Sequence, residues 1–345
     1  MENVCRLNYI GSKFQLLDWI TENIKKTIGS FENKIIGDLF AGTGIVSYHF
    51  RNLKNIIYSN DSELYSSIIT HAFTCSDYNE KCQEIIDLLN SEIKAGKETV
   101  GFVTQHYSPY TNERMFFTID NAKCIDYTRQ RLEELTLENT LSKDDYNFIL
   151  GSILISADAV SNVPAVYGCY LKKFKAKALK KFYIKLIHKS TNSNSRSLTF
   201  NENVVNLKLE FMDLVYLDPP YNQRQYSKNY FPLNIIAKTP AQLNSEPPLK
   251  GKTGIPSDCF VSPFCKKGKV VETAFDDLFK SLNTNYIFLS YNSESIIGKD
   301  KMIEIMKKYG DVSVFEKEYK RFKSFEYNKS AIIVEYLFCL KKNKS

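Results

Sequence analysis

The chain has 345 residues, enough for about two domains of common size. Hydrophobic residues make up 43% and charged residues 25%, proportions that exclude a disordered or fibrous chain. The net charge of +7 favours an anionic partner without requiring one, and 22 Tyr and 23 Phe beside a single Trp supply rings for a core and for stacking. None of the 8 cysteines forms a C-x-x-C pair, so no metal site is expected. The polar start predicts no signal peptide, and no run approaches the roughly 18 apolar residues of a membrane span. The cysteines are therefore expected to be free thiols in a reducing cytoplasm, with no membrane partner.

In chain order, Gly11-Ser12-Lys13 precedes a helical pattern at Leu16, Leu17, Ile20 and Ile24. A helix start offers N–H groups to a carboxylate or phosphate, and Lys13 adds a positive charge; an ordinary helix cap is the alternative. The next pattern is strand, glycine loop, helix: residues 34–40, then Ala41-Gly42-Thr43-Gly44, then 45–50. A second strand over 55–59 ends in Asn60-Asp61. This is the layout of a nucleoside-binding βαβ unit, in which glycines admit the ligand and the acid after the second strand holds ribose hydroxyls. Ser47 replaces the third glycine, and Asp38 opens the loop. Both favour a smaller nucleoside carrying an amino acid, such as S-adenosylmethionine, over a dinucleotide.

Residues 62–200 read as mostly helical, with helices over 62–73, 78–95, 120–137 and 144–160 and an irregular aromatic loop over 101–117. From Tyr170 the chain turns basic, with Lys172, Lys173, Lys175, Lys177, Lys180, Lys181, Lys185 and Lys189 and almost no acid between them. The alternatives are a solvated helix face and nucleic-acid contact, and the charge imbalance favours contact. A polar linker follows over 190–197, then a short strand over 203–209.

Leu214-Val215-Tyr216-Leu217-Asp218-Pro219-Pro220-Tyr221 is an apolar strand stopped by an acid, two prolines and a ring. Proline is rejected by strand interiors, so Asp218 belongs at the strand's carboxyl end, where open α/β sheets bind ligands. A plain Pro turn is the alternative. Residues 238–270 read as a long irregular segment. A helix over 273–282, a buried strand over 286–291, a helix over 300–308 and an antiparallel strand pair, 312–320 with 331–341, complete the pattern.

Together these motifs resemble the D12 class of DNA adenine-N6 methyltransferases in the alpha arrangement. The resemblance rests on Tyr9-Ile10-Gly11-Ser12-Lys13, on Asp38 to Gly44, on Asn60-Asp61 and on Asp218-Pro219-Pro220-Tyr221. Residues 162–168, 222–226, 251–254 and 290–294 are similar to modification methylases of the FokI type. The resemblance implies a Rossmann-like, S-adenosylmethionine-dependent methyltransferase sheet built from 1–70 and 200–345. It implies a largely helical, basic target-recognition insertion over 71–199. Asp218, Pro219, Pro220 and Tyr221 would be catalytic. Tyr9, Gly11, Lys13, Asp38, Phe40, Ala41, Gly42, Thr43, Gly44, Asn60, Asp61 and Asp218 would hold S-adenosyl-L-methionine. Lys172, Lys173, Lys175, Asn222, Arg224, Gln225 and Tyr226 would touch double-stranded DNA, with Tyr221 stacked on a base flipped from the duplex. A cognate restriction endonuclease acting separately and a bacterial, nucleoid-associated location are further implications. An acid is expected ahead of the catalytic strand, where this chain has Asn203. The weaker alternatives are methylation of cytosine N4 or RNA adenine, a non-catalytic DNA-binding module on the same fold, and a nicotinamide oxidoreductase.

Overall fold

The computed structural model describes residues 4–139, 141–320 and 332–343. Its first half runs α1 (Leu17–Ile28), β1 (Ile35–Asp38), α2 (Ile45–Arg51), β2 (Ile56–Asn60), α3 (Leu64–Thr74), α4 (Glu80–Lys94), α5 (Phe102–Tyr107), α6 (Ile119–Asn139) and α7 (Lys143–Ala159). The second half runs β3 (Leu198–Phe200), β4 (Met212–Leu217), α8 (Tyr226–Asn229), α9 (Phe231–Ala237), α10 (Pro240–Leu243), β5 (Leu249–Lys250), β6 (Ile255–Pro256), α11 (Lys269–Ser281), β7 (Thr284–Asn292), α12 (Lys299–Met306), β8 (Gly310–Lys320) and β9 (Ile332–Lys342). The start of the last strand expected at 331 lies outside the described residues.

Apolar alternation explains the central sheet. Val215, Leu217, Ile287 and Leu289 point to one face and pack on α11 and α12. Leu214, Tyr216 and Phe288 point to the other and pack on α1 and α2. Each fully buried aliphatic side chain of this kind contributes roughly 1.5–3 kcal/mol. The 7 strands lie in the order β3-β2-β1-β4-β7-β9-β8. The first five are parallel, and β9 pairs antiparallel with β7 and β8. This is a Rossmann-like α/β sheet with an antiparallel hairpin at its edge. Strand order reverses between β1 and β4, so the carboxyl ends of these two strands flank a crevice.

The helices α3, α4, α6, α7 and α9 share a separate apolar core that includes Ile69, Phe73, Leu89, Ile125, Phe148, Ile153 and Leu233. Their starts are capped as their sequences allow. Asn79 accepts the Cys82 N–H at 2.9 Å, and Ser142 accepts the Asp145 N–H at 3.0 Å.

Two expectations are corrected. Residues 101–117 contain α5, because the buried Asp126 on α6 accepts the N–H groups of Gly101, Val103 and Thr104 and the Thr104 hydroxyl. A cap supplied from 20-odd residues away leaves no local signal. Residues 203–209 are a turn, with Asn206 and Leu207 donating back to the carbonyls of Asn203 and Val204. The strand lies earlier, at β3, held where the Ser197 hydroxyl accepts the Ile57 N–H at 3.0 Å. For the lysine-rich stretch the helix-face alternative falls away: it runs through turns and extended segments pinned to the buried amide of Asn121 and the half-buried amide of Asn90.

Candidate active site

A cleft enclosing about 920 Å³, part of it open to solvent, lies at the carboxyl ends of β1, β2 and β4. Tyr9, Gly11, Lys13, Asp38, Phe40, Ala41, Gly42, Thr43, Asn60, Asp61, Asp218, Pro219, Pro220, Tyr221, Gln225 and Tyr226 all line it. Gly44, Asn222, Arg224, Lys172, Lys173 and Lys175 are not among its lining residues.

The glycine loop is built for close approach. Gly42 has φ 54°, and a Cβ there would lie 3.1 Å from the Tyr9 ring. Gly44 caps α2 at φ 72°, and a Cβ there would meet the α3 backbone at Thr70 at 2.9 Å. Ser47, in the place of a third glycine, donates its hydroxyl to Asp38 Oδ2 at 2.6 Å. Asp38 Oδ1 is buried with no partner among the described residues. Burial raises the Asp38 carboxyl to about 7 against the Ser47 hydrogen bond, with the charges of Asp218 and Asp61 adding to the rise.

Asp61 and Asn60 are partly engaged by the fold. Asp61 accepts the Gly42 N–H at 2.8 Å and the Glu63 N–H at 2.9 Å, so it also holds the glycine loop in shape. The Asn60 amide exchanges hydrogen bonds of 3.1 Å with the Glu202 backbone. That exchange brings Glu202, Asn203 and Val204 into the lining. The position where an acid was expected is Asn203, and the neighbouring acid, Glu202, lines the cleft beside it.

Lys13 is buried beneath Asp218-Pro219-Pro220-Tyr221, 2% exposed. Its Nζ lies 2.9 Å from Asp218 Oδ1 and contacts the Tyr221 hydroxyl. Tyr221 donates to the same Oδ1 at 2.6 Å and sets its ring edge-on to Tyr291 at 5.6 Å. Asp218 Oδ1 is therefore taken, and Oδ2 is the oxygen left for a ligand. Burial raises the Asp218 carboxyl, and the Lys13 ammonium opposes the rise.

Aromatic rings wall the cleft. Tyr9 stacks on Tyr230 at 4.8 Å and meets Tyr226 at 5.3 Å, while Phe40 stands edge-on to Phe264 at 5.0 Å. Tyr226, expected at the DNA, and Tyr9, expected at the cofactor, form one cluster. Gln225 exchanges hydrogen bonds with the Ser262 backbone, 2.8 Å to its N–H and 3.4 Å to its carbonyl, and so fastens residues 260–265 to the rim. Phe260, Ser262, Phe264 and Cys265 line the cleft and carried no signal, since an irregular segment has no period from which to read its facing. Glu63 also lines it and was missed, although its signal was present as an acid two residues after Asp61.

The remaining candidates lie apart from the cleft. Lys172 and Lys173 are exposed. Lys175 is half-buried and donates to the Val163 carbonyl; burial lowers its ammonium below the ordinary lysine value. Asn222 accepts the Arg224 N–H at 2.9 Å, and Arg224 is exposed. Among the described residues no group of His, Cys, Asp or Glu could hold a metal ion, and no helix is long and apolar enough to cross a membrane.

Parallel strand ends, a glycine loop and buried carboxyls over a crevice are the features of an α/β fold with its ligand site at a topological switch point. Residues 9–305 match the D12 class of N6 adenine-specific DNA methyltransferases, and the chain belongs to that family. It is an adenine-specific DNA methyltransferase. The type II methyltransferase M.CviAII of Paramecium bursaria Chlorella virus 1 is 40% identical over 334 residues, 96% of this chain and 98% of that one. The type II methyltransferase M.NlaIII of Neisseria lactamica is 35% identical over 345 residues, 97% of this chain and 99% of that one. The type II methyltransferase M.FokI of Planomicrobium okeanokoites is 32% identical over 352 residues, which take in 98% of this chain and 53% of that longer protein.

Proposed function

We propose that the cleft holds S-adenosylmethionine on the β1–β2 side and an adenine, flipped from duplex DNA, against Asp218-Pro219-Pro220-Tyr221. The reading is carried by Asp38 Oδ1, a buried carboxylate oxygen with no partner among the described residues, at the mouth of a glycine loop. Such an oxygen costs free energy unless a cationic ligand meets it, and an amino acid's ammonium is the matching group. Tyr9, Gly11, Lys13, Phe40, Ala41, Gly42, Thr43, Gly44, Asn60 and Asp61 complete the cofactor assignment, with Lys13 acting through Asp218 and Gly44 through the shape of the loop. When bound, S-adenosylmethionine supplies a methyl group on a positively charged sulfur.

The chain's own groups position the acceptor. Asp218 Oδ2 accepts one N6–H, and the Pro219 carbonyl accepts the other. Two acceptors draw the nitrogen lone pair out of ring delocalisation and aim it at the methyl group, so positioning carries most of the rate. The proton leaves N6 after the methyl arrives, and a carboxyl held above its ordinary value by burial is suited to receive it. The tyrosine rings exclude water and offer faces to the flipped base.

Beyond the cleft, we assign DNA contact to Lys172, Lys173, Arg224, Asn222 and, more weakly, Lys175. Gln225 and Tyr226 act on DNA through the rim they build. Residues 71–199 form the recognition insertion in this reading, packed with the 226–243 helices, and the rest is the catalytic domain. The names of the type II relatives support a role as the modification half of a restriction–modification system; a separate cognate endonuclease and a place in the bacterial cytoplasm, at the nucleoid, complete the proposal.

The test is to incubate plasmid DNA with labelled donor, digest it to nucleosides and map the modified positions. N6-methyldeoxyadenosine at one short sequence is expected from the native enzyme. Asp218→Ala should form none while still binding donor. Label on cytosine, or turnover by Asp218→Ala, contradicts the assignment.

A further inference from the structure

Glu63 is a carboxyl that the mechanism above does not use. It is 4% exposed, forms the N-terminal cap position of α3 and lines the cleft beside Asp61. Asn234 on α9 donates to its Oε2 at 2.7 Å, and the same amide accepts the Tyr65 N–H at 3.1 Å, so the side chain is held in one place. Asp38, Asp61, Glu63 and Asp218 thus crowd one cleft against a single buried ammonium, Lys13.

We propose that Glu63 is a specificity-determining residue that lets the cleft distinguish the cationic methyl donor from its neutral, demethylated product. The inference rests on the reading of the cleft as the S-adenosylmethionine site. In the reaction a C–N bond forms at adenine N6 and the S–C bond breaks. The sulfur keeps the bonding pair, and N6 releases one proton. The donor thereby loses one positive charge, while its ammonium, carboxylate, ribose and adenine are unchanged. A buried negative charge near this ligand favours the donor and not the product, and in a cleft of low dielectric the preference is large.

The discrimination depends on pH. Burial, then the Asp61 charge, raises the Glu63 carboxyl to about 8 against the Asn234 hydrogen bond, and Asp38 lies at about 7. The other titratable groups around the cleft are Asp61, Glu202, Asp218 and Lys13, the phenols of Tyr9, Tyr65, Tyr216, Tyr221 and Tyr226, and the thiols of Cys259 and Cys265. Asp38 is assigned to the ammonium that both ligands carry, so its ionisation largely cancels in the comparison of donor with product. As pH rises through about 8, Glu63 ionises, adds a negative charge to the cleft, and the preference for the donor grows.

Calorimetric titration of S-adenosylmethionine and S-adenosylhomocysteine into the native enzyme from about pH 6 to about pH 9 tests this. The ratio of product Kd to donor Kd should rise about tenfold, as expected when the cationic sulfur lowers the pKa of one facing carboxyl by about one. Glu63→Gln keeps an acceptor for Asn234. It should lose most of the rise above about pH 7.5. A ratio constant with pH in the native enzyme, or a Glu63→Gln curve matching it, overturns the proposal and leaves the cofactor reading standing. Failure of either ligand to bind at any pH brings down both.

Discussion

The sheet-edge cleft and the helical layer both bury polar side chains, and they treat them in opposite ways. In the helical layer the side chains that fasten the backbone are saturated, although Thr70, Glu92 and Arg129 each keep one buried atom without a partner among the described residues. Asp126 holds four donors at the start of α5, and Asn162 binds the carbonyls of Met115 and Leu171 and the Lys175 N–H. In the cleft they are left incomplete: Asp38 has a bare oxygen, and Asp218 offers Oδ2 because Lys13 and Tyr221 crowd onto Oδ1. A saturated buried group builds the fold. An incomplete one that faces the cleft, as Asp38 does, can store an interaction for a ligand, and the stability forgone there is recovered when the ligand arrives.

The contrast can be broken by removing one group from each side. The largest effect is expected at Lys13. Lys13→Met strips Asp218 of its counter-charge, so the carboxyl rises further. Asp218 works as an acceptor when ionised, above its pKa, and is lost as pH falls through it. The acid limb of the pH–rate profile should therefore move up by about one pH unit or more, with kcat near neutrality reduced roughly 10–100-fold. An unmoved limb would detach Lys13 from Asp218.

Asp126→Ala should cost about 3 kcal/mol of stability by leaving the start of α5 uncapped, read as a lower midpoint in denaturant. The folded fraction should keep its kcat. A matching loss of kcat would mean that the helical layer reaches into the chemistry. Tyr221→Phe removes one hydrogen bond to Asp218 and should lower kcat by roughly 2–10-fold, corresponding to about 0.5–1.5 kcal/mol. The smallest effect belongs to the exposed lysines. Lys172→Ala with Lys173→Ala should reduce the salt slope of DNA binding by about one for each phosphate that is no longer neutralised, with kcat at saturating DNA unchanged.

The same contrast explains what could be read in the sequence. The sheet and the Asp38, Asp61 and Asp218 positions were legible because strand period, glycine loop and Pro-Pro stop are local. Asp38 and Asp218 each follow directly from the strand that carries them. Lys13 was legible as a charge at the cleft, but its partner, Asp218, lies some 200 residues away, and pairing at that distance leaves no pattern. Gln225 resembled a DNA contact because an amide's type does not reveal whether its bonds are already made. Residues 203–209 read as a strand because their apolar alternation is real; the Asn203 backbone turn overrides it locally. The lysine stretch is no helix face, the less favoured of its two readings, since neighbouring amides from α4 and α6 fix its backbone.

One pair of variants addresses the contrast itself. Asp38→Asn and Asp126→Asn should be compared by thermal unfolding of the free enzyme and by S-adenosylmethionine titration. Asp38→Asn should unfold at or above the native temperature, because it removes a buried carboxyl that lacks a full set of partners, and it should lose donor affinity by at least about tenfold. Asp126→Asn should unfold at a lower temperature and keep native donor affinity. The account is contradicted if Asp38→Asn destabilises the free enzyme as much as Asp126→Asn does, or if it binds the donor as tightly as the native protein.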